Sequence, residues 1–585
     1  MQFLKAYKST SIYDFSSIEK SIDTYNDLNS FYGAVNLLLY SLTYRKVSVD
    51  YINQLVDEDK MYLFKIYNKD FSLFSKGTPN MHTLYWKMLF DEQNLNDVVF
   101  KLNGQAEVFF RKKSITYQRP THPANKPIDN KNVNNPKKQS TFDYDLIKDK
   151  RYTVDKFMFH VPITLNFKGV GNGDINIQVR EYIKASDDLH FIGIDRGERH
   201  LLYICVINNK GEIVEQYSLN EIVNNYKGTD YRTDYHSLLS ERDKKRKEER
   251  SSWQTIEGIK ELKAGYLSQV IHKIAQLMIK YNAIILLEDL NVGFKRGRQK
   301  VESSVYQQFE KALIDKLNYL VDKKKDANEI GGLLHAYQLT NDPKLPNQNS
   351  KQSGFLFYVP AWNTSKIDPV TGFVNLLDTR YENIAQAQSF FNKFDRIRYN
   401  KEQDRFEFVF DYTNFTAKAE DTRTQWTLCT YGNRVETFRN AEKNSNWDSR
   451  EIDLTTEWKS FFAKHNIQLN ANLKETILLQ SNKLFYADIL HLMKLTLQMR
   501  NSVTGTDIDY MISPVANERG EFFDSRIAKE GLPINADANG AYNIARKGLW
   551  LAQQIKNAYD LSEVKLAITN KEWLQFAQTK PYLND

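Results

Sequence analysis

The sequence predicts an α+β protein of several domains, on three observations. The chain has 585 residues, more than one hydrophobic core organises. Hydrophobic residues make up 41% and aromatic residues 13%, which supplies packed cores and excludes a disordered chain. Stretches of strand character alternate with stretches of helical period along most of the length.

The bulk numbers narrow the class further. The 80 Lys and Arg exceed the 73 Asp and Glu by a net +7, a mild lean toward a polyanionic partner. Cys205 and Cys429 are the two cysteines and have no ligand-like spacing, so neither a disulfide framework nor a cysteine-bound zinc site is expected. The apolar run Ala34–Tyr40 is too short to span a bilayer and contains Asn36; Met1–Thr10 lacks the features of a secretory signal. The expectation is a soluble, cytoplasmic protein with no membrane partner.

Taken in order, residues 1–57 read as short amphipathic helices and turns. Strands are expected over Asp97–Leu102, Ala106–Phe110 and Lys156–Asn166, with an extended loop at Lys112–Asp143. His190–Asp195, Leu201–Ile207 and Glu212–Tyr217 form a three-strand meander, the second turn supplied by Asn208–Gly211. Glu241–Arg250 is almost wholly charged and should be helical. Gly265–Tyr281 places Leu267, Val270, Ile271, Ile274, Leu277 and Met278 on one helical face. Ala283–Leu287 is a short apolar strand ending at Glu288, Val301–Val321 a helix, and Gly540–Gln553 a helix preceded by Asp537.

Three acids follow from that layout. Asp195 ends the strand Ile192-Gly193-Ile194-Asp195, Glu288 ends Ile284-Ile285-Leu286-Leu287-Glu288, and Asp537 opens a helix in Asn535-Ala536-Asp537-Ala538-Asn539-Gly540. A carboxylate at the end of a buried strand is costly unless neutralised. Two divalent cations would do this, and oxygen ligands suit Mg²⁺ or Mn²⁺ better than zinc. Singly, such acids are more often turn or cap residues, and Asp537 alone reads as a helix cap.

The meander carrying Asp195-Arg196-Gly197-Glu198-Arg199-His200, the strand end Glu288-Asp289-Leu290-Asn291 and the helix start Asp537-Ala538-Asn539-Gly540-Ala541 occur in the order of a split RuvC-like nuclease. With Tyr62–Phe71, His82-Thr83-Leu84-Tyr85-Trp86 and Phe294-Lys295-Arg296-Gly297-Arg298, the chain resembles the type V-A CRISPR effector endonucleases from about residue 58 onward. The resemblance implies an RNase H-like (RuvC-type) core with an inserted bridge helix and Nuc domain, preceded by a partial OB-like wedge domain. The implied divisions are 1–57, remnant of a region that reads the protospacer-adjacent motif; 58–186, wedge; 187–237, 254–357 and 534–585, RuvC-like; 238–253, bridge helix; and 358–533, Nuc.

Carried over by position, Asp195, Glu288 and Asp537 match the family's metal-binding catalytic acids. Asn535 departs from relatives that have Asp there. Leu497-Gln498-Met499-Arg500-Asn501-Ser502 matches the segment whose Arg assists cleavage, here Arg500, and Asp509 falls at another acidic position. Residues 110–151 contain eleven Lys or Arg against four acids; by composition alone this is a solvated basic loop. The resemblance implies a metal-independent site there that processes precursor guide RNA through His122, Lys131 and Lys148. It likewise implies nucleic-acid contacts for Arg242, Lys244, Lys245, Arg246 and Trp253 of the bridge helix, and for Lys295, Arg296 and Arg298.

The implied activity is two-metal hydrolysis of DNA, with guide RNA, target DNA and single-stranded DNA as partners, in the cytoplasm of a prokaryotic cell. The family's heteroduplex-cradling lobe has no counterpart in this sequence. The chain is therefore expected not to open a duplex target unless that lobe is supplied in trans. Two other readings stand beside it. One is an RNA-hairpin-binding and processing module whose nuclease is latent. The other, a transposon-type nuclease, lacks such an RNA-processing segment.

Overall fold

The computed structural model describes residues 24–36, 47–61, 79–96, 99–102, 107–114, 116, 119–129, 139–148, 155–165, 171–196, 200–226, 229–241, 259–289, 300–335, 351–419, 422–443, 446–503, 506 and 508–579. They fall in two compact units, 1–167 and 168–585.

In the first unit, helices Val49–Asp57 and Met81–Leu89 are capped by Ser48 and Asn80, whose side chains take the N–H of Tyr51 and Thr83. Buried Asn94 joins helix to sheet: its Oδ1 accepts from the Val99 and Phe100 N–H at 2.9 and 2.7 Å, and its amide donates to Phe100 O at 3.0 Å. The strands pair in nested fashion. Phe100–Leu102 pairs with Ile163–Leu165, Glu107–Arg111 with Lys156–His160, Arg119–His122 with Leu146–Lys148, and Ile128–Asp129 with Gln139–Ser140. Each is antiparallel, so the described strands make four nested two-stranded pairs, and strand pairing enters the segment expected to be a loop. Proline and asparagine interrupt the alternation there, which hides the strands from a periodicity reading.

The second unit is built on a six-stranded sheet. Its elements are helix α1 (Gly171–Ala185), strands β1 (His190–Asp195), β2 (Tyr203–Ile207) and β3 (Ile213–Ser218), helix α2 (Ile259–Tyr281), strand β4 (Ala283–Asp289), helix α3 (Lys300–Leu317), strands β5 (Gln352–Ser353) and β6 (Leu356–Pro360), and helix α4 (Ala536–Asn557). Strand order is β3-β2-β1-β4-β6-β5. The first three are the antiparallel meander; β4 runs parallel to β1, and β6 parallel to β4. Strands β1, β2 and β4 are buried along nearly their whole length, as their unbroken apolar runs require. This is an RNase H-like sheet.

Two expected boundaries shift. Helix α1 falls in the division expected to be the wedge, yet Arg180 on it donates to Gln352 Oε1 at 2.8 Å and to Leu561 O at 2.6 Å, and Val179 and Ile183 belong to the core of the six-stranded sheet. A division at 357/358 would cut β6, whose Phe357 and Val359 lie in that core together with Ile367 and Val374. The inserted region has its own aromatic core around Phe391, Phe394, Phe408, Trp426, Trp458 and Phe462. Buried Trp458 is satisfied by its indole N–H on Thr496 Oγ1, 3.0 Å.

Helix α4 is buried from Ala536 through Ala552 and lies against the sheet. Glycine sets the approach. A Cβ on Gly193 of β1 would overlap Ala541 O and come within 2.6 Å of Ala545 N, and one on Gly548 would come within 2.8 Å of Leu286 Cδ2. Gly193→Ala is expected to lower stability by about 1–3 kcal/mol through overpacking. Gly265→Ala, on α2 with nothing within 4 Å, is expected to raise it by about 0.5–1 kcal/mol. Chemical denaturation of the two variants checks the pair.

Candidate active site

β1 and β4 are neighbours in parallel register, with Ile194 paired to Leu287, so the next residues on each strand, Asp195 and Glu288, emerge together at one end of the sheet. Asp537 arrives from α4. The helix cap is Asn535, whose Oδ1 takes the Ala538 N–H at 2.7 Å and whose amide reaches Tyr203 OH at 3.3 Å. Asp537 is therefore not the cap its position suggested, and its carboxylate is left for other partners. Gly540, one turn on, makes room: a Cβ there would overlap the Asp195 carboxylate.

The three acids are buried, with Asp195 and Glu288 each 8% exposed and Asp537 not at all. Burial, then the charges of Glu288 and Asp537, push the Asp195 pKa well above the usual carboxylate range, while Arg500 pulls the other way. Arg500 comes from the insertion and its guanidinium is paired with Asp537 Oδ1. Burial alone would lower the Arg500 pKa; Asp537, Asp195 and Asp509 outweigh it and raise it. Strand Arg500–Ser502 pairs with Asp509–Ala516, with Ser502 opposite Asp509, so Arg500 and Asp509 project from the same face.

His200, between β1 and β2, completes the group. Its Nε2 lies 3.7 Å from Asp509 Oδ2 and 3.8 Å from Asp537 Oδ2. Asn220 Oδ1 accepts the Leu201 N–H at 2.8 Å, so its amide faces His200 Nδ1 at 3.3 Å as a donor. In that tautomer the Nε2 proton points at the two carboxylates; moving the proton to Nδ1, where Ser218 Oγ lies 2.8 Å away to accept it, would free Nε2 as a ligand.

Glu288 has a different setting. Its Oε1 accepts from the Thr364 hydroxyl at 2.5 Å, and its backbone carbonyl accepts from Arg196 Nη2 at 2.5 Å. Behind it, Lys547 is fully buried; burial pushes its pKa down to about 7, against the pull of the Glu288 charge.

Asp195, Glu288, Asp537, Arg500 and Asp509 thus meet at one place. In the other unit, His122 is exposed on a strand whose partner carries Lys148, with Arg119 opposite Lys148 and His122 opposite Leu146. Lys131, Arg242, Lys244, Lys245, Arg246, Trp253, Lys295, Arg296 and Arg298 lie outside the described residues. His200 and Thr364 had no role assigned from sequence. The meander held a signal for His200, because Tyr203 pairs with Asp195 and residues just before it therefore lie at the acid end. Thr364, in a loop far from Glu288 in sequence, had none.

The residues fit divalent cations. Buried carboxylates that repel one another need positive charge, and Asp537 Oδ2 accepts no hydrogen bond among the described residues. The ligand atoms of His200, Asp509 and Asp537 all lie within 4.8 Å of one another, a spacing that one ion spans. A family model described as the RuvC nuclease domain matches residues 169–582.

Without metal, Asp195→Asn is expected to stabilise the fold while removing a ligand. The folded-state pKa of Asp195 lies above its ordinary value of 3.8, so the wild type loses stability as pH rises from there through the raised value. The advantage of the variant should grow over that window and then level off. Thermal unfolding in EDTA at stepped pH checks it.

Proposed function

Because the chain belongs to the RuvC nuclease domain family, we propose that it is a divalent-cation-dependent DNA endonuclease of the type V-A CRISPR effector kind, using Mg²⁺ or Mn²⁺. The observation that carries this reading is the convergence of Asp195, Glu288 and Asp537, all buried, at the end of an RNase H-like sheet, with a guanidinium from the insertion on Asp537.

Asp195, Glu288 and Asp537 would hold two ions, with Asp509 and His200 at the margin of the same cluster. Such ions supply activation of a water and neutralisation of charge on the phosphodiester. The chain's own part is to present preset carboxylates in a largely dry site, where charges act strongly. Arg500, held beside the acids by Asp537, would offer its guanidinium to the scissile phosphate and oppose the charge that develops in the transition state. Single-stranded DNA is the substrate of choice, since it needs no unwinding.

Guide RNA and target DNA are the partners of this reading, supported by the motifs shared with the family. Precursor processing is assigned to His122, Lys131 and Lys148, supported by an exposed His122 on the same two-stranded ribbon as Lys148.

Purified chain should cut labelled single-stranded DNA in Mn²⁺ or Mg²⁺ and stop in EDTA, and Asp195→Ala should abolish cutting. Cutting that persists in Asp195→Ala would reject the site. Arg500→Ala should lower cleavage by about 10²–10³-fold, the scale of a lost transition-state donor. It should also destabilise the metal-free protein by on the order of 3 kcal/mol by stripping buried Asp537 of its partner. Denaturation with and without Mn²⁺ reads the second effect, which the cation should reduce.

A further inference from the structure

Helix α4 carries a row of buried polar side chains at four-residue spacing: Asn539, Asn543 and Lys547, none of them exposed. All three donate to backbone carbonyls of one segment, the last residue of β6 and the loop that follows it. Asn539 reaches Ile367 O at 3.0 Å and Asn543 reaches Thr364 O at 2.9 Å. Lys547 reaches Pro360 O at 2.5 Å and Trp362 O at 3.1 Å. Carbonyls are weak compensation for a buried ammonium, so this row is an expensive way to hold a loop that apolar contacts could hold. Within the gripped segment sits Thr364, 4% exposed. Its single hydroxyl proton has two acceptors, Glu288 Oε1 at 2.5 Å and Ala361 O at 3.2 Å, and the shorter contact to the carboxylate dominates.

We infer that Asn539, Asn543, Lys547 and Thr364 form a positioning device that orients the Glu288 carboxylate for its cation. The helix that presents Asp537 directly thereby also presents Glu288, through Thr364, so one rigid element fixes two acids drawn from different parts of the chain. Hydrogen bonds that orient ligating carboxylates typically carry a 10–100-fold effect on metal affinity. This inference rests on the nuclease reading above.

The test is Mn²⁺ binding to the full chain, followed by electron paramagnetic resonance of the free ion, alongside cleavage of single-stranded DNA across a Mn²⁺ titration. Thr364→Val should weaken Mn²⁺ binding about 10-fold and shift the cleavage midpoint by the same factor, and should lower the metal-free unfolding midpoint, because Glu288 loses its hydroxyl partner. Thr364→Ser should bring both back close to wild type. Lys547→Met releases the loop and breaks no hydrogen bond to Glu288; the cation it removes beside Glu288 would by itself favour Mn²⁺, so an affinity that falls as in Thr364→Val reads the positioning role and supplies the answer if the valine variant does not fold. A wild type that binds Mn²⁺ and cuts, with valine and methionine variants that bind it equally well, would overturn this inference alone. A wild type that binds no Mn²⁺ would overturn the nuclease reading with it.

Discussion

The approach of helix α4 to the sheet is the constraint on which the site depends. Gly193 on β1 and Gly548 on the helix let the two elements meet closer than any side chain would allow, and Gly540 leaves space for the Asp195 carboxylate. The approach brings Asp537 to the strand ends that carry Asp195 and Glu288. The polar row Asn539, Asn543 and Lys547 then ties the helix to the loop after β6, and Asn535 pins its first turn to Tyr203. Apolar packing sets the distance, and hydrogen bonds set the register.

That geometry concentrates like charge where water is scarce. Asp195 answers by a raised pKa, Asp537 by its pairing with Arg500, and Glu288 by the hydroxyl of Thr364. At Asp537 the response is incomplete, since its Oδ2 accepts no hydrogen bond among the described residues. A fold that concentrates repulsion in this way trades stability for a cluster of acids that could hold cations. The insertion shares in this balance, because its Arg500 supplies the positive charge nearest Asp537.

Much of this was legible in the sequence because buried strands have a simple signature. An apolar run ending in an acid announced β1 with Asp195 and β4 with Glu288, and the Asn208–Gly211 turn announced the meander. What was not legible was tertiary. The cap role of Asn535 rather than Asp537 depends on which side chain the first turn accepts. Thr364 meets Glu288 only because α4 holds its loop, and His200 meets Asp509 only because the insertion folds back onto the sheet. The boundaries at α1 and β6 were misplaced because residues such as Arg180 and Val359 declare their core only through distant partners. The inner pairs of the first unit escaped because Arg119–His122, Ile128–Asp129, Gln139–Ser140 and Leu146–Lys148 are only two to four residues long, too short to show an alternation.

Chain order adds one consequence. Asp195 and Glu288 are synthesised well before Arg500, and Arg500 before the helix that supplies Asp537. At roughly 5–20 residues per second, the gap between the first acid and the last is tens of seconds. Through that interval the sheet face that receives α4, with Phe191 and Leu286, has no cover from it, and no complete set of acids exists to bind cations. The nascent chain thus exposes an apolar sheet face, and its three acids come together only when the last helix docks.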